Sequence, residues 1–366
     1  KLTLAVTTTA VSAVVSSHRA SHRAQAVTEP TAVDTSFKTK SLATIPPDVP
    51  ELPIGLQTRP ILHDELKAQV LKQAGMVSVV GMQKTAATTA AHGMGGVGKT
   101  TAAVQLIRDK EVGAAFSKLL WVSVSAEPDN MYLLDRLHNQ LTGEKLPAKA
   151  SGSEMDAVQE VEKAAKGIRA LLILDDCWEG KHAQILNVVD ADAGSACVIT
   201  TRIRSLAESE ISCGLLSVEE SLSLLLTTAG LPHLIASPPQ AAIEAVECCS
   251  RLALALPIAG SMIRQLPDVW EDELVPMLRE ELAEELSVES RIVNASFRVI
   301  QTDQRAGVEA LFIVFGAFAE DEVVPVAALD ALAPIICMRA GMESVSNPHL
   351  KVRKWLSALL KASLLS

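Results

Sequence analysis

The spacing of hydrophobic residues predicts a helix early in the chain. In the segment ILHDELKAQVLKQA, residues 61–74, apolar residues recur every three to four positions, which is the period of an α-helix. The positions on the predicted apolar face are Ile61, Leu62, Leu66, Val70 and Leu71. The pattern therefore predicts a helix with one buried face.

Short apolar runs then alternate with helical patterns. The runs are KLLWVSVS (118–125), RALLILDD (169–176) and ACVITTR (196–202), and helical segments such as TTAAVQLIRD and MYLLDRLHNQLTG occur among them. Continuous hydrophobic strands that alternate with helices are typical of a parallel sheet covered on both faces. The pattern predicts an α/β domain.

The character of the chain changes after about residue 216. The segments SVEESLSLLLTTAG, PPQAAIEAVECCSRLALAL and WEDELVPMLREELAEEL carry helical patterns, and no convincing strand pattern follows them. We therefore expect a helical region after the α/β domain.

The first 50 residues differ from the rest in composition. They are rich in Ala, Ser, Thr and Val, and the proline cluster IPPDVPELP closes the segment, which predicts a low-complexity linker. Residues 2–15 resemble the apolar part of a signal peptide, but they contain many threonines and the chain does not begin with Met. We expect a fragment of a longer protein, starting at a cut edge or with a flexible lead-in.

Composition narrows the class of protein. A chain of 366 residues is long enough for two or three domains, and its hydrophobic content of 48% supports substantial cores. The net charge of −10 argues against a nucleic-acid-binding protein. No uninterrupted apolar run reaches the roughly 18 residues that a membrane span needs. The six cysteines form no CxxC pair, which favours buried thiols in a reducing compartment.

Residues 93–100 carry the candidate chemistry. GMGGVGKT fits G-x-x-x-x-G-K-[ST] and lies between a strand-like segment and a predicted helix, which is the context of a phosphate-binding loop. Its glycines let backbone N–H groups face phosphate oxygens, and the helix N-terminus adds partial positive charge. Lys99 is expected to reach the β- and γ-phosphates, and the Thr100 hydroxyl to ligate Mg²⁺. The predicted nucleotide-binding set is Gly93, Met94, Gly95, Gly96, Val97, Gly98, Lys99, Thr100 and Thr101.

Two carboxylates follow the apolar run LLIL. Asp175 is expected at the carboxyl end of this strand, where open α/β sheets bind ligands, and it is the candidate Mg²⁺-side residue, acting through a bound water. Asp176 is the candidate to orient or deprotonate an attacking water, with a cap or turn residue as the alternative. The next run ends in Arg202, which either contacts the γ-phosphate or is an ordinary surface arginine. The candidate catalytic residues are Lys99, Asp176 and Arg202.

The order of these segments resembles that of NB-ARC domains, the signal-transduction ATPases of plant immune receptors and apoptosis adaptors. HGMGGVGKTT, FSKLLWVSVS, LLILDDCW, CVITTR, LALALPIA and ALFIVFGAFAED occur in the family's order, with similar spacing, and the resemblance covers residues 51–366. It implies a P-loop nucleotide-binding domain at 51–216, a helical domain at 217–295 and a truncated winged-helix domain at 296–366. It also implies that these three domains hold ADP or ATP between them.

The resemblance extends to single residues and also shows departures. Pro257 in LALALPIA matches the proline that the family places against adenine, and Ala255 stands where the family has a glycine. The family's adenine-contacting V-G-R-E signature is represented only by IGLQTRP, with Arg59 as the nearest match. The family's histidine–aspartate pair is expected just beyond KASLLS, and His349 precedes that segment and is not its counterpart.

The resemblance implies a nucleotide-dependent switch in a cytoplasmic signalling protein of defence. ADP would hold the domains closed, and exchange for ATP would open them and permit self-association and contacts with other signalling proteins, with slow ATP hydrolysis as the reset. The alternatives are a P-loop kinase or motor ATPase, a nucleotide-binding scaffold without hydrolysis, and the ATPase core of a helix-turn-helix regulator. A GTPase is disfavoured because no guanine-reading K-x-D motif occurs. Neither nucleic acid nor membrane is expected as a partner.

Overall fold

The computed structural model describes most of the chain after the first 42 residues. The described residues are 43–52, 56, 58–75, 87–204, 206–207, 209–281, 287–318, 324–342 and 345–365. The linker predicted over residues 1–50 and the signal-peptide-like residues 2–15 lie largely or wholly outside these ranges. The segment IGLQTRP is described only in part, and it retains Arg59.

A parallel sheet lies at the centre of the first half of the described chain. It has five strands in the order β2-β3-β4-β1-β5, and every neighbouring pair is parallel. The strands are β1 (Ala87–His92), β2 (Lys118–Ser123), β3 (Ala170–Cys177), β4 (Ala196–Thr201) and β5 (Ser209–Ser212). The surrounding helices are α1 (Pro60–Gly75), α2 (Lys99–Arg108), α3 (Lys110–Ala115), α4 (Asn130–Thr142), α5 (Glu154–Ala165) and α6 (Gly180–Leu186). The predicted α/β P-loop fold is confirmed.

Alternate residues of β2, β3 and β4 enter different cores on the two faces of the sheet. In β3, Ile173 belongs to the first core, which also contains Leu66 of α1 and Leu106 of α2. Its neighbour Leu172 belongs to the second core, which α4, α5 and α6 complete. Successive side chains of a strand point to opposite faces, so a strand covered on both sides is hydrophobic throughout. The continuous apolar runs of the sequence follow from this arrangement.

Downstream of β5 the described residues form helices and no further strand. These helices are α7 (Val218–Ala229), α8 (Gln240–Cys248), α9 (Ala255–Gln265), α10 (Val275–Glu281), α11 (Val288–Val299), α12 (Thr302–Phe315), α13 (Val326–Arg339) and α14 (Pro348–Lys361). A 3₁₀ turn spans Pro232–Leu234, and a π-helical turn spans Trp270–Leu274. The helical region is confirmed, while the winged-helix assignment of residues 296–366 and the domain limits stay predictions.

The helical region packs in two parts. Residues of α7 to α11 extend the first core, so the sheet and these helices share one continuous hydrophobic interior. Helices α12 to α14 instead build a third core around the buried Trp355.

The start of α7 is fixed by a capping box, in which the Ser217 hydroxyl accepts the Glu220 N–H and the Glu220 carboxylate accepts the Ser217 N–H.

The edge strand β2 is capped by a side chain. The amide of Gln140, in α4, accepts a hydrogen bond from the Trp121 N–H at 2.9 Å and donates one to the Trp121 carbonyl at 2.8 Å. The same amide nitrogen also donates to Asp48 at 3.2 Å. Both outward-facing backbone groups of Trp121 are therefore paired, although β2 is the edge strand of the sheet that the described residues form.

Helix α1 confirms the predicted period but corrects one member of its apolar face. Leu62, Leu66 and Val70 are buried, and Leu71 is half-buried. The prediction that Ile61 lies on the buried face was wrong, because its side chain in the first turn of the helix is 83% exposed.

The six cysteines are buried and free, as expected for thiols that pack as small apolar side chains. Within the described ranges, no helix is long and apolar enough to cross a membrane.

Candidate functional site

The glycine loop joins β1 to α2 at the carboxyl edge of the sheet. Gly96 and Gly98 have φ values of 70° and 93°, which fall in the left-handed region that favours glycine. A Cβ atom on Gly93 would lie 2.3 Å from the carbonyl oxygen of Cys213, so a side chain at this position has no room. The loop conformation thus depends on residues without a side chain.

Lys99 is folded back onto the loop. Its ammonium group donates to the carbonyls of Gly93 at 3.1 Å and Met94 at 2.8 Å, and the residue is only 8% exposed. Burial lowers the pKa of Lys99 below its ordinary value, and the nearby charge of Arg202 lowers it further. Burial destabilises the charged form of Lys99, and an anion bound next to the ammonium group would stabilise it.

The two residues predicted to hold Mg²⁺ are in contact. The Thr100 hydroxyl, in the first turn of α2, donates to Oδ1 of Asp175 at 3.0 Å, and the Thr200 hydroxyl donates to the same oxygen. Asp175 is 1% exposed and lies near the end of β3. The structure therefore brings the loop and the buried carboxylate together across adjacent parts of the sheet edge.

A β-bulge shapes the end of β3. Leu174 pairs with Ile199 and Cys177 pairs with Thr201, so β3 uses one residue more than β4 over this interval. Asp176 takes a left-handed φ of 51°, and its N–H donates to the Thr200 hydroxyl at 2.8 Å. The Thr201 hydroxyl donates to the Cys177 carbonyl at 2.7 Å. Two threonine hydroxyls of β4 thus satisfy the backbone where the bulge interrupts the ladder.

Arg202 lies between the loop and the end of β3. Its side chain is exposed, yet its Nη1 atom is 3.4 Å from the position that a Cβ on Gly95 would occupy. The guanidinium carbon lies 4.6 Å from the ring centroid of Trp178. The Trp178 indole N–H donates to Oδ2 of Asp176 at 2.9 Å. The three predicted catalytic residues, Lys99, Asp176 and Arg202, therefore lie around one loop.

Arg59 also contacts the glycine loop. Its guanidinium donates to the Val97 carbonyl at 3.4 Å and to the Leu215 carbonyl at 3.4 Å, and it contacts Cys213 Sγ at 3.6 Å. Its Nε atom is 3.9 Å from Glu220. The residues that precede α1 are thereby tied to the glycine loop and to the start of α7.

The turn before α9 also meets the loop. The Leu254 N–H donates to the Gly96 carbonyl at 3.0 Å, and the Ala253 side chain would be 3.6 Å from a Cβ on Gly98. Pro257 lies in the first turn of α9, where its missing N–H leaves no helical hydrogen bond unmade, and it is half-buried. Its predicted role against adenine stays a prediction, as do the roles of Met94 and Thr101.

Sequence reasoning missed four contributors to the site. Thr200 and Thr201 occur in the motif CVITTR, but only their pairing across the bulge shows their function. Trp178 occurs in LLILDDCW, and Leu254 occurs in LALALPIA. Their presence in motifs of the family resemblance was the one available signal.

The residues present fit a magnesium nucleotide. The glycine loop and the N-terminus of α2 supply backbone N–H groups and Lys99 supplies a cation, as phosphate binding requires. Mg²⁺ takes hard oxygen ligands and is usually held by one or two protein groups together with phosphates. The Thr100 hydroxyl and the Asp175 carboxylate are such a pair. Among the described residues, no cluster of three or more His, Cys, Asp or Glu forms a self-sufficient metal site.

Known proteins resemble this chain over most of its length. Residues 71–230 match the NB-ARC domain. Disease resistance protein ADR1 of Arabidopsis thaliana is 28% identical over 66% of this chain and 28% of its own length. Disease resistance protein RPP13 of the same plant is 26% identical over 63% of this chain and 29% of its own length. The chain thus spans less than a third of the length of these relatives.

Solved structures resemble the chain more weakly. A signal transduction ATPase with a tetratricopeptide repeat sensor from Pyrococcus horikoshii aligns over 87% of this chain and 46% of its own, with 14% identity and a TM-score of 0.48. The ADP form of the ORC2 protein of Aeropyrum pernix aligns over 84% of this chain and 87% of its own, with 13% identity and a TM-score of 0.40. The sequence match and the glycine loop at the sheet edge agree: residues 71–230 of this chain are similar to NB-ARC domains, and they contain a loop built to bind nucleotide phosphates.

Proposed function

We propose that this protein is an ADP/ATP-dependent molecular switch of a signalling protein of the disease-resistance type. The observation that carries the proposal is that the glycine loop is contacted from both sides. Arg202 lies beside Gly95 on the sheet side, and Leu254 donates to Gly96 on the helical side. A change in the bound nucleotide would therefore act on the sheet and on the helical region together.

Lys99 is the residue that would sense phosphate first. In the structure its ammonium group donates to the carbonyls of Gly93 and Met94, which are weaker partners than a phosphate oxygen. Lys99 would turn from these carbonyls to the β- and γ-phosphates, and its charge would then be compensated. The Thr100 and Asp175 oxygens would hold Mg²⁺, which supplies charge neutralisation between the phosphates.

Hydrolysis, where it occurs, would be slow. Asp176 is the candidate to orient water, but its carboxylate already accepts the Trp178 indole N–H. With that oxygen engaged, Asp176 has fewer acceptor positions left to direct at a water. We therefore assign to Asp176 a slow reset of the switch, with nucleotide exchange as the main event.

The signalling role rests on the named relatives. Both ADR1 and RPP13 are disease resistance proteins, and each extends well beyond the segment that this chain matches. We propose that the chain serves the same broad role, that it self-associates with ATP bound, and that it acts in the cytoplasm with other signalling proteins. A nucleotide-binding scaffold without hydrolysis is the second candidate, because the engaged Asp176 carboxylate is compatible with both.

The test is the nucleotide content and turnover of the purified chain. We expect ADP to copurify with the wild type, and Lys99→Ala to lose it because the loop loses its cation. Asp175→Asn is expected to weaken the effect of Mg²⁺ on ATP affinity more than it weakens ADP binding. The matched control is Lys72→Ala, which removes an exposed lysine in the last turn of α1.

Three outcomes separate the candidates. Bound ADP with very slow turnover, lost in Lys99→Ala and kept in Lys72→Ala, supports the switch. Nucleotide binding with no turnover at all supports the scaffold. Rapid multiple turnover, unaffected by Asp175→Asn, contradicts both the switch and the assignment of the metal side.

A further inference from the structure

Trp178 is the side chain that connects the acidic and the basic parts of the site. Its ring lies 4.6 Å from the Arg202 guanidinium carbon, and its N–H donates to Asp176 at 2.9 Å. A guanidinium within about 6 Å of an indole centroid is attracted by the electron-rich ring face. One half-buried indole therefore contacts Arg202 and Asp176, two of the three candidate catalytic residues.

The bulge in β3 explains why Trp178 is available for these contacts. Because Asp176 has a left-handed φ of 51°, the chain turns sharply after the buried Asp175. The extra residue lies between the paired residues Leu174 and Cys177, and it re-aims the side chains that follow. Thr200 fixes this turn by accepting the Asp176 N–H. The indole is thus placed by a backbone feature with hydrogen bonds of its own.

Arg202 is held at the end of the loop where a terminal phosphate would lie. The P-loop lysine reaches the β- and γ-phosphates, and Lys99 lies against the carbonyls of Gly93 and Met94. Arg202 lies beside the next residue, Gly95, since its Nη1 atom is 3.4 Å from the position that a Cβ on Gly95 would occupy. The guanidinium is therefore beside the γ side of the site while it is still stacked on Trp178.

We propose that Trp178 is a positioning residue that holds Arg202 ready for a γ-phosphate and so sets the preference of the site for a nucleoside triphosphate over a diphosphate. The inference rests on the proposed function, because it assigns a regulator to the same nucleotide site. A free arginine side chain must lose conformational freedom when it binds phosphate, whereas a stacked one has already lost it. A diphosphate has no group at the γ position, so its affinity does not depend on this stacking.

The test compares the affinities for ADP and for a non-hydrolysable ATP analogue, by calorimetry with the whole chain. Trp178→Leu is expected to weaken analogue binding about five- to tenfold, the scale of a partly desolvated cation–π contact, with ADP affinity unchanged. Trp178→Phe keeps a ring under the guanidinium and is expected to stay within about threefold of the wild type. The matched control is Tyr132→Leu, which removes the ring that Arg136 covers at 5.5 Å in α4.

A double-mutant cycle separates positioning from a general structural effect. If Trp178 acts through Arg202, then Trp178→Leu in an Arg202→Met background leaves the ratio of the two affinities unchanged. An equal loss of ADP and analogue affinity in Trp178→Leu overturns the inference. So does a change in the affinity ratio that is as large when Trp178→Leu is added to Arg202→Met as when it is made in the wild type. Failure of the wild type to bind either nucleotide instead overturns the proposed function.

Indole fluorescence provides a measurement that does not depend on the folding of Trp178→Leu. The other three tryptophans, Trp121, Trp270 and Trp355, are buried, and Trp178 is half-buried. The analogue is expected to shift the emission of the wild type, because a γ-phosphate beside the stacked guanidinium changes the charge close to the indole, and ADP is expected to leave the emission unchanged. The shift should disappear in Arg202→Met and in Trp178→Phe. An equal shift with both nucleotides, or one that persists in Arg202→Met, contradicts the inference.

Discussion

The two faces of the sheet are covered in different ways. The second core is closed locally, by α4, α5 and α6, which the chain supplies between β2 and β4. The first core begins with α1, α2 and α3 and continues without interruption into α7 to α11. The glycine loop belongs to this continuous side, since Val97 and Cys213 are members of the first core. We therefore expect a change at the loop to reach α7 to α11 through the first core rather than through the second.

The strongest way to test this comparison is to create a cavity on each side of the same strand. Leu172 and Ile173 are adjacent in β3, both are fully buried, and they face the second and the first core respectively. We expect Leu172→Ala and Ile173→Ala each to lower the free energy of unfolding by about 2–5 kcal/mol. Urea denaturation, monitored by circular dichroism, measures the loss.

The two cavities should differ in which helices they destabilise. Hydrogen exchange of α7 and α9 is expected to become faster in Ile173→Ala, because those helices share its core, and to change less in Leu172→Ala at matched stability. Equal effects of the two variants on α7 and α9 would show that the faces are not distinct.

The next test places a methyl group where the loop meets the first core. In Gly93→Ala the new Cβ would lie 2.3 Å from the Cys213 carbonyl oxygen, so the loop or the strand end must move. We expect a loss of stability of about 1–3 kcal/mol, together with weaker ADP binding. Thermal unfolding and ADP titration measure the two effects.

The control for this substitution is Gly152→Ala. Gly152 lies in the connection before α5, and a Cβ there meets no atom within 4 Å. Its stability and ADP affinity should equal those of the wild type. A stable Gly93→Ala variant with normal ADP affinity would show that the close approach to Cys213 is dispensable.

The smallest expected effect compares a helix cap on each face. Asp109 caps α3 by accepting the N–H groups of Glu111 and Val112, and Ser153 caps α5 by accepting the Asp156 N–H. We expect Asp109→Ala and Ser153→Ala each to cost about 0.5–2 kcal/mol of stability. Chemical denaturation at pH 7 measures both.

The stability contributions of the two caps should differ in their dependence on pH. Burial alone would raise the pKa of Asp109, but hydrogen bonds from His63, Val112 and Glu111, together with the charge of Lys67, hold it below its ordinary value. A lowered pKa contributes stability that is complete above the unfolded value of about 3.9 and is lost as pH falls through the folded value. The cost of Asp109→Ala should therefore shrink in that acidic range, whereas that of Ser153→Ala should not. A pH-independent cost for Asp109→Ala would contradict the assigned hydrogen bonds.

Local patterns predicted the elements of the fold and the main parts of the site. The continuous apolar runs identified β2, β3 and β4, and the loop motif identified Lys99 and Thr100, because each depends on residues that are close in the sequence. The sequence did not reveal β5, a four-residue edge strand too short to carry a pattern. It also misplaced Ile61, since periodicity does not show which residue of a first turn faces solvent.

The features that were missed depend on contacts between distant segments. The bulge in β3 exists because Thr200 and Thr201 of β4 pair with Asp176 and Cys177, and no local pattern records that register. The stacking of Arg202 on Trp178 likewise requires the ends of two strands to meet. Such contacts are set by tertiary packing between segments that are far apart in the chain, and the local pattern of one sequence does not show them.

The pairing of Gln140 with Trp121 limits how copies of this chain can join. An exposed edge strand normally offers its backbone to a strand of another molecule, which is a common route to sheet extension and to aggregation. Here an amide side chain already occupies the N–H and the carbonyl of Trp121, in the middle of β2. Strand addition at this edge would first have to displace the side-chain amide of Gln140. If copies self-associate as proposed above, we therefore do not expect them to add a strand at Trp121.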